Sequence, residues 1–367
     1  MGLTLKDVDK VVGREIYLKD INLHLKPGSR NVILGRTLAG KTTLLRIMAG
    51  LDRPSRGRVL ANGEDVTGKS VRKRNVAMVY QQFINYPSLN VYKNIASPLK
   101  LADYKKKEID RRVHETARML HLESMLDRIP AELSGGQQQR IAIARAIAKD
   151  ADLLLMDEPL VNLDYKLREE LREELRDIFK KREAIVVYTT TEPTEALMLG
   201  GDIVVMDEGR IIQTGPISDV YHNPDNLKVA EVFSDPPINF LSGTVSDHHI
   251  HLGPNLEILL NGYLHVLPAG NYIIGMRSNH LSLSRKDDTD IEIHAKVELT
   301  EINGSETFIH LSHNDSKLVV QEAGILSKKI GDDISVYVNP GRFFVYNEAG
   351  ALVGSPSLGV LEERFKP

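Results

Sequence analysis

The chain has 367 residues with a formal net charge of −3, 42% hydrophobic and 26% charged residues, and no cysteine. That length accommodates two or three domains of about 100–200 residues each, and the mixture is ordinary for a folded protein. Without cysteine there are no disulfides, no thiolate chemistry and no cysteine-ligated zinc, and the small negative charge gives no general field to recruit nucleic acid or anionic lipid.

At the N-terminus, MGLTLKDVDKVVGREIYL has acids early and no apolar core of signal-peptide length. No later apolar run approaches the ~20 residues a membrane-spanning helix needs. The expectation is a chain that is not secreted by that route and does not cross a membrane; a cytoplasmic location fits, and docking on a membrane protein stays open. Residues 31–34 (NVIL) read as a buried strand that runs into GRTLAGKTT and then the helical pattern LLRIMAGL. Residues 51–79 alternate short strands and turns. Residues 99–126 read as helical and charge-rich, with Lys105, Lys106 and Lys107 as a solvated helix start. LSGGQQQRIAIARAIA opens a second helix.

Residues 151–156 are a near-continuous apolar run, the mark of a strand buried on both faces of a parallel sheet. Residues 166–182 predict an amphipathic helix with Leu167, Leu171, Leu175 and Ile178 on one stripe, and apolar strands follow at 184–188 and 203–206. Strands alternating with helices imply a parallel α/β core. Past Pro236-Pro237 the texture changes to short alternating runs such as NYIIGMR, IEIHAKVEL, TFIHLSH and ISVYVNP, which predict a small all-β, barrel-like domain.

Gly35-Arg36-Thr37-Leu38-Ala39-Gly40-Lys41-Thr42 fits GxxxxGK[ST] between a strand and a helix, the context that makes this motif credible. The glycines let backbone N–H groups turn inward around phosphate oxygens, and the helix adds its positive end. Lys41 would reach the β and γ phosphates, the Thr42 hydroxyl would ligate Mg²⁺, and Thr43 would cap the helix and touch the α phosphate. Downstream, LLLMD ends in Asp157-Glu158. A carboxylate at the C-terminal edge of a strand beside the phosphate loop suits Mg²⁺, and Glu158 is the group to polarise an attacking water. Ser134-Gly135-Gly136-Gln137 before a helix makes a second anion-binding nest. Two phosphate cradles so far apart in one chain make sense if two chains pair head to tail, each covering the other's ATP.

Walker A (GRTLAGKT), Q-loop (VYQQ), signature (LSGGQ), Walker B (LLLMDE) and D-loop (VNLD) occur in the order of ABC transporter ATPase subunits, which residues 3–240 resemble. The tail, with IIGMRSNHLSL, resembles the regulatory β domain of maltose-type importer ATPases. VYQQFINYPSLNVYKNIASP, EPLVNLDYKLREELR and TTTEPTEAL look most like ATPase subunits of bacterial glycerol or glycerol-phosphate importers. The resemblance implies a P-loop ABC ATPase core, a RecA-like sheet plus a helical subdomain near 87–150, over residues 1–236. It implies a C-terminal OB-like (TOBE-like) domain over 237–367. It also implies ATP and Mg²⁺ as ligands, Gln81 as a Mg²⁺ contact that senses the membrane partner, and residues 82–97 facing a groove for a permease helix. The D-loop aspartate is Asp164. The implied partners are two membrane-spanning permease subunits, a second ATPase subunit and, indirectly, a periplasmic or extracellular solute-binding protein. The implied place is the cytoplasmic face of the membrane. A soluble ATP-switch protein, or a regulatory subunit with little turnover, is the alternative.

Three departures from the family pattern stand out. Where related chains end a strand in YVTHDQ, this one has Tyr188-Thr189-Thr190-Thr191-Glu192, and Thr191 takes the histidine's place. A threonine is shorter and carries no proton at physiological pH. Either the site is handicapped, or a local rearrangement lets Thr191 or Thr190 substitute. The D-loop has Val161 where serine is usual. Val12 stands where an aromatic ring commonly stacks on adenine; Tyr17 is a possible substitute, against an ordinary strand-packing role. The departures affect what the chain offers its own ATP, while the signature offered to a partner is intact, so a heterodimer is expected. His249 and His251 in SDHHIHLG read as solvated turn residues without a ligand set.

Overall fold

Five apolar strands run side by side and parallel because each must bury both faces. They belong to a computed structural model that describes residues 1–253 and 256–361. Contacts divide it into two units, Met1–Ile217 and the chain from Ser218 onward. The first unit holds β1 (Leu3–Val12), β2 (Glu15–Leu25), β3 (Arg30–Leu34), β4 (Arg56–Ala61), β5 (Glu64–Asp65), β6 (Val76–Val79), β7 (Leu153–Asp157), β8 (Ile185–Thr190), β9 (Asp202–Asp207) and β10 (Arg210–Pro216). Its helices are α1 (Lys41–Ala49), α2 (Val91–Leu101), α3 (Lys106–Met119), α4 (Gly135–Ala148), α5 (Tyr165–Lys180) and α6 (Pro193–Leu199).

One sheet has the order β10-β9-β3-β8-β7-β6, with only β10 antiparallel to its neighbour. An antiparallel sheet, β2-β1-β4-β5, covers it. Helix α1 lies in the core between them, its Leu44, Leu45, Ile47 and Met48 packed with Leu5 and Ile21 of one sheet and Ile33 and Leu155 of the other. Each of those buried side chains contributes about 1.5–3 kcal/mol, which fixes the start of α1 against both sheets.

Residues 99–126 are not one helical stretch. Helix α2 starts earlier, capped by Asn90, whose side chain accepts from the Lys93 N–H at 3.0 Å. It stops at Leu101, Asp103 turns left-handed with φ 56°, and α3 begins after Lys105. The three lysines are exposed, as a solvated helix start requires.

The second unit is β-rich. Its longer strands are β11 (Asn239–Ser246), β12 (Gly270–Met276), β13 (Ile291–Ile302), β14 (Glu306–His313), β15 (Ser316–Ala323), β16 (Asp333–Val338), β17 (Phe344–Asn347) and β18 (Leu352–Ser355). Together with four shorter strands they form, among the described residues, two antiparallel sheets of seven and five strands around one core that includes Ile274, Val345, Val297 and Leu311. The division falls earlier than Pro236-Pro237 because residues 218–234 pack on this unit. Arg277 is buried; its guanidinium sits 3.8 Å from the centre of the Tyr221 ring and donates to Tyr221 O at 2.6 Å, Ser234 Oγ at 3.0 Å and Phe233 O at 3.3 Å. Leu352 N–H and Leu227 N–H tie the same segment to β18 and its turn, at 2.9 Å to Asp225 O and 3.1 Å to Gly350 O.

His280 follows Arg277, and burial, then the positive charges of Arg277 and Arg342, push its pKa down from 6.5 to about 4. Between those values the unfolded chain binds the proton and the folded chain does not. Stability is therefore full above about pH 6.5 and is lost as pH falls toward 4, by about 2 kcal/mol between pH 7 and 5. His280→Gln should flatten that stretch of the profile, read as urea midpoints of the full-length chain at pH 7 and 5.

Candidate active site

The parallel strands all end at one edge, and their order decides what meets there. β8 lies between β3, which runs into the phosphate loop, and β7, which ends in Asp157. The threonine segment after Tyr188 is thereby held between the two. β6 flanks β7 on the far side with Val79 opposite Met156, so Gln81, two residues on, stands at the level of Glu158.

Residues 35–40 turn tightly. The Ala39 N–H bonds Arg36 O at 3.1 Å, Leu38 sits at the solvent-exposed tip with φ 69°, and Gly40 caps α1 in the left-handed region. Because Gly40 is the cap and no side chain assists it, Thr43 lies inside the first turn and does not cap the helix. The first amides of α1 have no intrahelical acceptor and remain for phosphate oxygens. Lys41 is almost wholly buried; its ammonium donates to Gly35 O at 2.7 Å and Arg36 O at 3.0 Å and pairs with Glu158 Oε1 at 3.0 Å. The lysine arches over its own loop, with Arg36, Thr37 and Leu38 exposed around it.

Asp157 is buried at the end of β7. Desolvation pushes its pKa up, opposed by hydrogen bonds from Thr42 and Thr189 to Oδ1 at 3.1 and 3.0 Å. Glu158 has φ 42°, a conformation that costs a non-glycine residue about 1–2 kcal/mol and that turns its side chain toward Lys41. Thr42 and Asp157 offer two hard oxygens side by side, a donor set that fits Mg²⁺, and a buried carboxylate calls for a cation. When bound, Mg²⁺ would neutralise phosphate charge, while Lys41 and the loop amides would position the phosphates and Glu158 would polarise water.

The three threonines do different work. Thr190 is buried and donates to Glu195 Oε2 at 2.7 Å, the same oxygen that takes the Tyr188 hydroxyl at 3.1 Å, and it accepts the Glu192 N–H at 2.9 Å. Burial pushes the Glu195 carboxyl pKa up. Thr190 is thus committed to seating α6. Thr191, half-buried, makes no side-chain hydrogen bond among the described residues. Thr189, fully buried, contacts both Asp157 and the Glu158 N–H. Sequence reasoning passed over Thr189, which is one of three successive hydroxyl-bearing residues that end β8 after its apolar start.

Ser134 caps α4, accepting the Gln137 N–H at 3.3 Å while Gln137 Oε1 accepts the Ser134 N–H at 3.0 Å. Gly135 is exposed with open space around it, whereas a Cβ on Gly136 would stand 1.9 Å from Leu167 Cδ2 of α5. The signature tip is presented outward with its back pressed against α5. In the D-loop Asp164 caps α5, accepting the Leu167 N–H at 3.0 Å. Val161 is exposed, and Asn162 donates to Gln81 O at 3.3 Å. Arg168 pairs with Glu192 and donates to Leu163 O at 3.3 Å. Val12 and Tyr17 sit on the β1–β2 hairpin, both exposed, with the Tyr17 hydroxyl donating to Glu15 at 3.0 Å. Tyr17 is therefore not committed to strand packing. His249 lies 2.8 Å from Asp247 O, and no group of three or more metal-binding side chains converges among the described residues.

The chain has known relatives. Residues 18–161 match the ABC transporter family. The chain is 38% identical over 353 residues to YurJ of Bacillus subtilis, an uncharacterized ABC transporter ATP-binding protein, covering 92% of this chain and 95% of that one. It is 36% identical over 341 residues to the oligosaccharides import ATP-binding protein MsmX of the same organism, covering 90% and 93%. It is 38% identical over 326 residues to the trehalose/maltose import ATP-binding protein MalK of Thermococcus litoralis, covering 84% and 88%. Among solved structures, a dimeric post-hydrolysis state of the ATP-binding cassette MJ0796 bound to ADP and Pi aligns with 31% identity and a TM-score of 0.52, covering 59% of this chain and 98% of that one. The cradle, the paired carboxylates and similarity along the whole length together show that this chain belongs to the ATP-binding, ATP-hydrolysing proteins of ABC transporters.

Proposed function

We propose that the chain is the ATPase subunit of a membrane importer for a sugar or polyol, with glycerol and glycerol phosphate among the candidate cargoes. The observation that carries the importer reading is length. Relatives named as import ATP-binding proteins match about nine-tenths of the chain, β unit included. The glycerol refinement rests on the wording of the segments around Gln81, Val161 and Thr191. In this reading one of the two permease subunits docks on the partner ATPase and the other on the groove beside the Q-loop. Its volume is about 400 Å³, and Tyr80, Ile84, Tyr86, Pro98 and Arg145 line it. The loop that forms its rim is held from beneath by buried Asn94, which accepts the Tyr86 N–H at 2.9 Å and donates to Leu89 O at 2.8 Å. No helix among the described residues is long and apolar enough to cross a membrane; in this reading the chain is held at the membrane by the permease subunits. Uptake of labelled glycerol, glycerol phosphate and maltose by cells lacking this chain separates the cargoes; unchanged uptake of all three would overturn the refinement and point to another solute.

We infer further that the chain works beside a different ATPase subunit. Among the described residues the Thr191 hydroxyl has no hydrogen-bond partner, and the apolar Val161 side chain offers none across a dimer, while the signature tip is outward and complete. A missing transition-state donor costs about 10²–10³ in rate. Thr191→His should therefore raise phosphate release by the purified full-length chain at least ~10-fold, while Thr191→Ala should lower it by less than about twofold. A large loss with alanine would show that the threonine already serves.

A further inference from the structure

We propose that Thr189 is a positioning residue for ATP hydrolysis, holding the Asp157 carboxylate and the Glu158 backbone in register with a single hydroxyl. The inference rests on the ATPase reading of the site and adds a residue to it.

Thr189 stands directly opposite Asp157 in the parallel β7–β8 ladder, so both side chains leave the same face at the same level. Its hydroxyl is 3.0 Å from Asp157 Oδ1 and 3.4 Å from Met156 O, and the Glu158 N–H points into it at 3.0 Å. One proton and two lone pairs are thereby distributed: the proton goes to the carboxylate, and a lone pair receives the amide. The same Asp157 oxygen takes the Thr42 hydroxyl at 3.1 Å from the other side, so two hydroxyls from two elements fix the plane of that carboxylate. Glu158 occupies a left-handed backbone conformation, and its N–H is the group Thr189 satisfies. The hydroxyl therefore braces the one strained peptide that aims the base. In the related motif YVTHDQ the corresponding position is valine, which can do neither. The chain that lacks the histidine thus carries an extra polar brace two residues earlier, on the buried strand itself.

Among the described residues neither Lys41 nor the phosphate-loop amides hydrogen-bond the Thr189 hydroxyl, so ATP affinity should be spared while the chemical step is not. With the full-length chain, Thr189→Val should lower kcat about 10-fold with KM for ATP within about twofold. It should also raise the Mg²⁺ concentration for half-maximal binding of a fluorescent ATP analogue about threefold or more. Thr189→Ser, which keeps the hydroxyl, should recover kcat to within about threefold. A purely structural role predicts the opposite order, because valine fits a fully buried strand position better than serine. Should Thr189→Val fail to fold, Thr189→Ser and Thr189→Ala, which differ only in the hydroxyl, make the same comparison, with thermal melting as the control. Glu158→Gln sets the zero of the assay. If wild type releases no more phosphate than Glu158→Gln, the ATPase reading falls and the Mg²⁺ titration alone judges Thr189. Unchanged kcat and unchanged Mg²⁺ requirement in Thr189→Val, or equal losses in the valine and serine variants, would overturn the proposal.

Discussion

Replacing Glu158 by glutamine should lower ATP turnover by about 10²–10⁴-fold and leave ATP binding as tight or tighter. Removing a positioned general base costs about 10²–10⁴ in rate. The Glu158 carboxylate is mostly enclosed, reaches Lys41 at 3.0 Å, and follows directly on the buried Asp157. Glutamine keeps the size and one oxygen for that contact but cannot take a proton from water. It also removes a negative charge that competes with phosphate for the lysine ammonium, which fixes the sign of the binding effect. Phosphate release at saturating Mg-ATP, set beside the dissociation constant of a fluorescent ATP analogue, reads both. A variant that keeps more than about a tenth of wild-type turnover would remove Glu158 from the role of base.

Gly40→Ala should abolish high-affinity nucleotide binding and lower stability. Gly40 has φ 98°, and a Cβ there would lie 2.9 Å from Tyr17 O and 2.9 Å from Leu18 Cδ2. The left-handed backbone alone costs an alanine about 1–2 kcal/mol. The carbonyl it meets cannot retreat cheaply, because the adjoining backbone is tied: Lys19 N–H bonds Gly209 O at 2.9 Å and Gly209 N–H bonds Ala39 O at 3.1 Å. The strain is relieved only by rotating the loop whose amides face the phosphates. The expected result is a melting temperature lower by several degrees and an ATP dissociation constant raised at least ~10-fold. Wild-type affinity in this variant would show that the loop adapts without its glycine.

Parts of this site are legible in the residues because they are local. The phosphate loop follows an apolar strand and opens a helix, and Asp157-Glu158 ends a near-continuous apolar run, so both can be placed from periodicity alone. Thr189 cannot, because its meaning depends on the non-local pairing of β8 with β7. The antiparallel sheet of residues 3–65 is equally hidden: bulges interrupt β1 where it pairs with β2 and β4, with Asp7 and Asp20 at positive φ, and they erase the simple alternation. The proline pair at 236 is a real break in texture, yet the cation of Arg277 stacked on Tyr221 draws the preceding segment into the β unit. Thr43 illustrates the limit at single-residue scale, since whether a hydroxyl caps depends on where the first helical turn closes.

Arg168 grips Glu192, the neighbour of Thr191, together with the carbonyl of Leu163, and Asn162 reaches across to the carbonyl of Gln81. Three stretches of chain, the D-loop, the end of β8 and the Q-loop, are therefore stitched by two side chains with little slack between them. Pressure on any one must be shared by the other two. On the proposed importer reading, such wiring would couple a load on the Q-loop to the alignment of water beside Glu158.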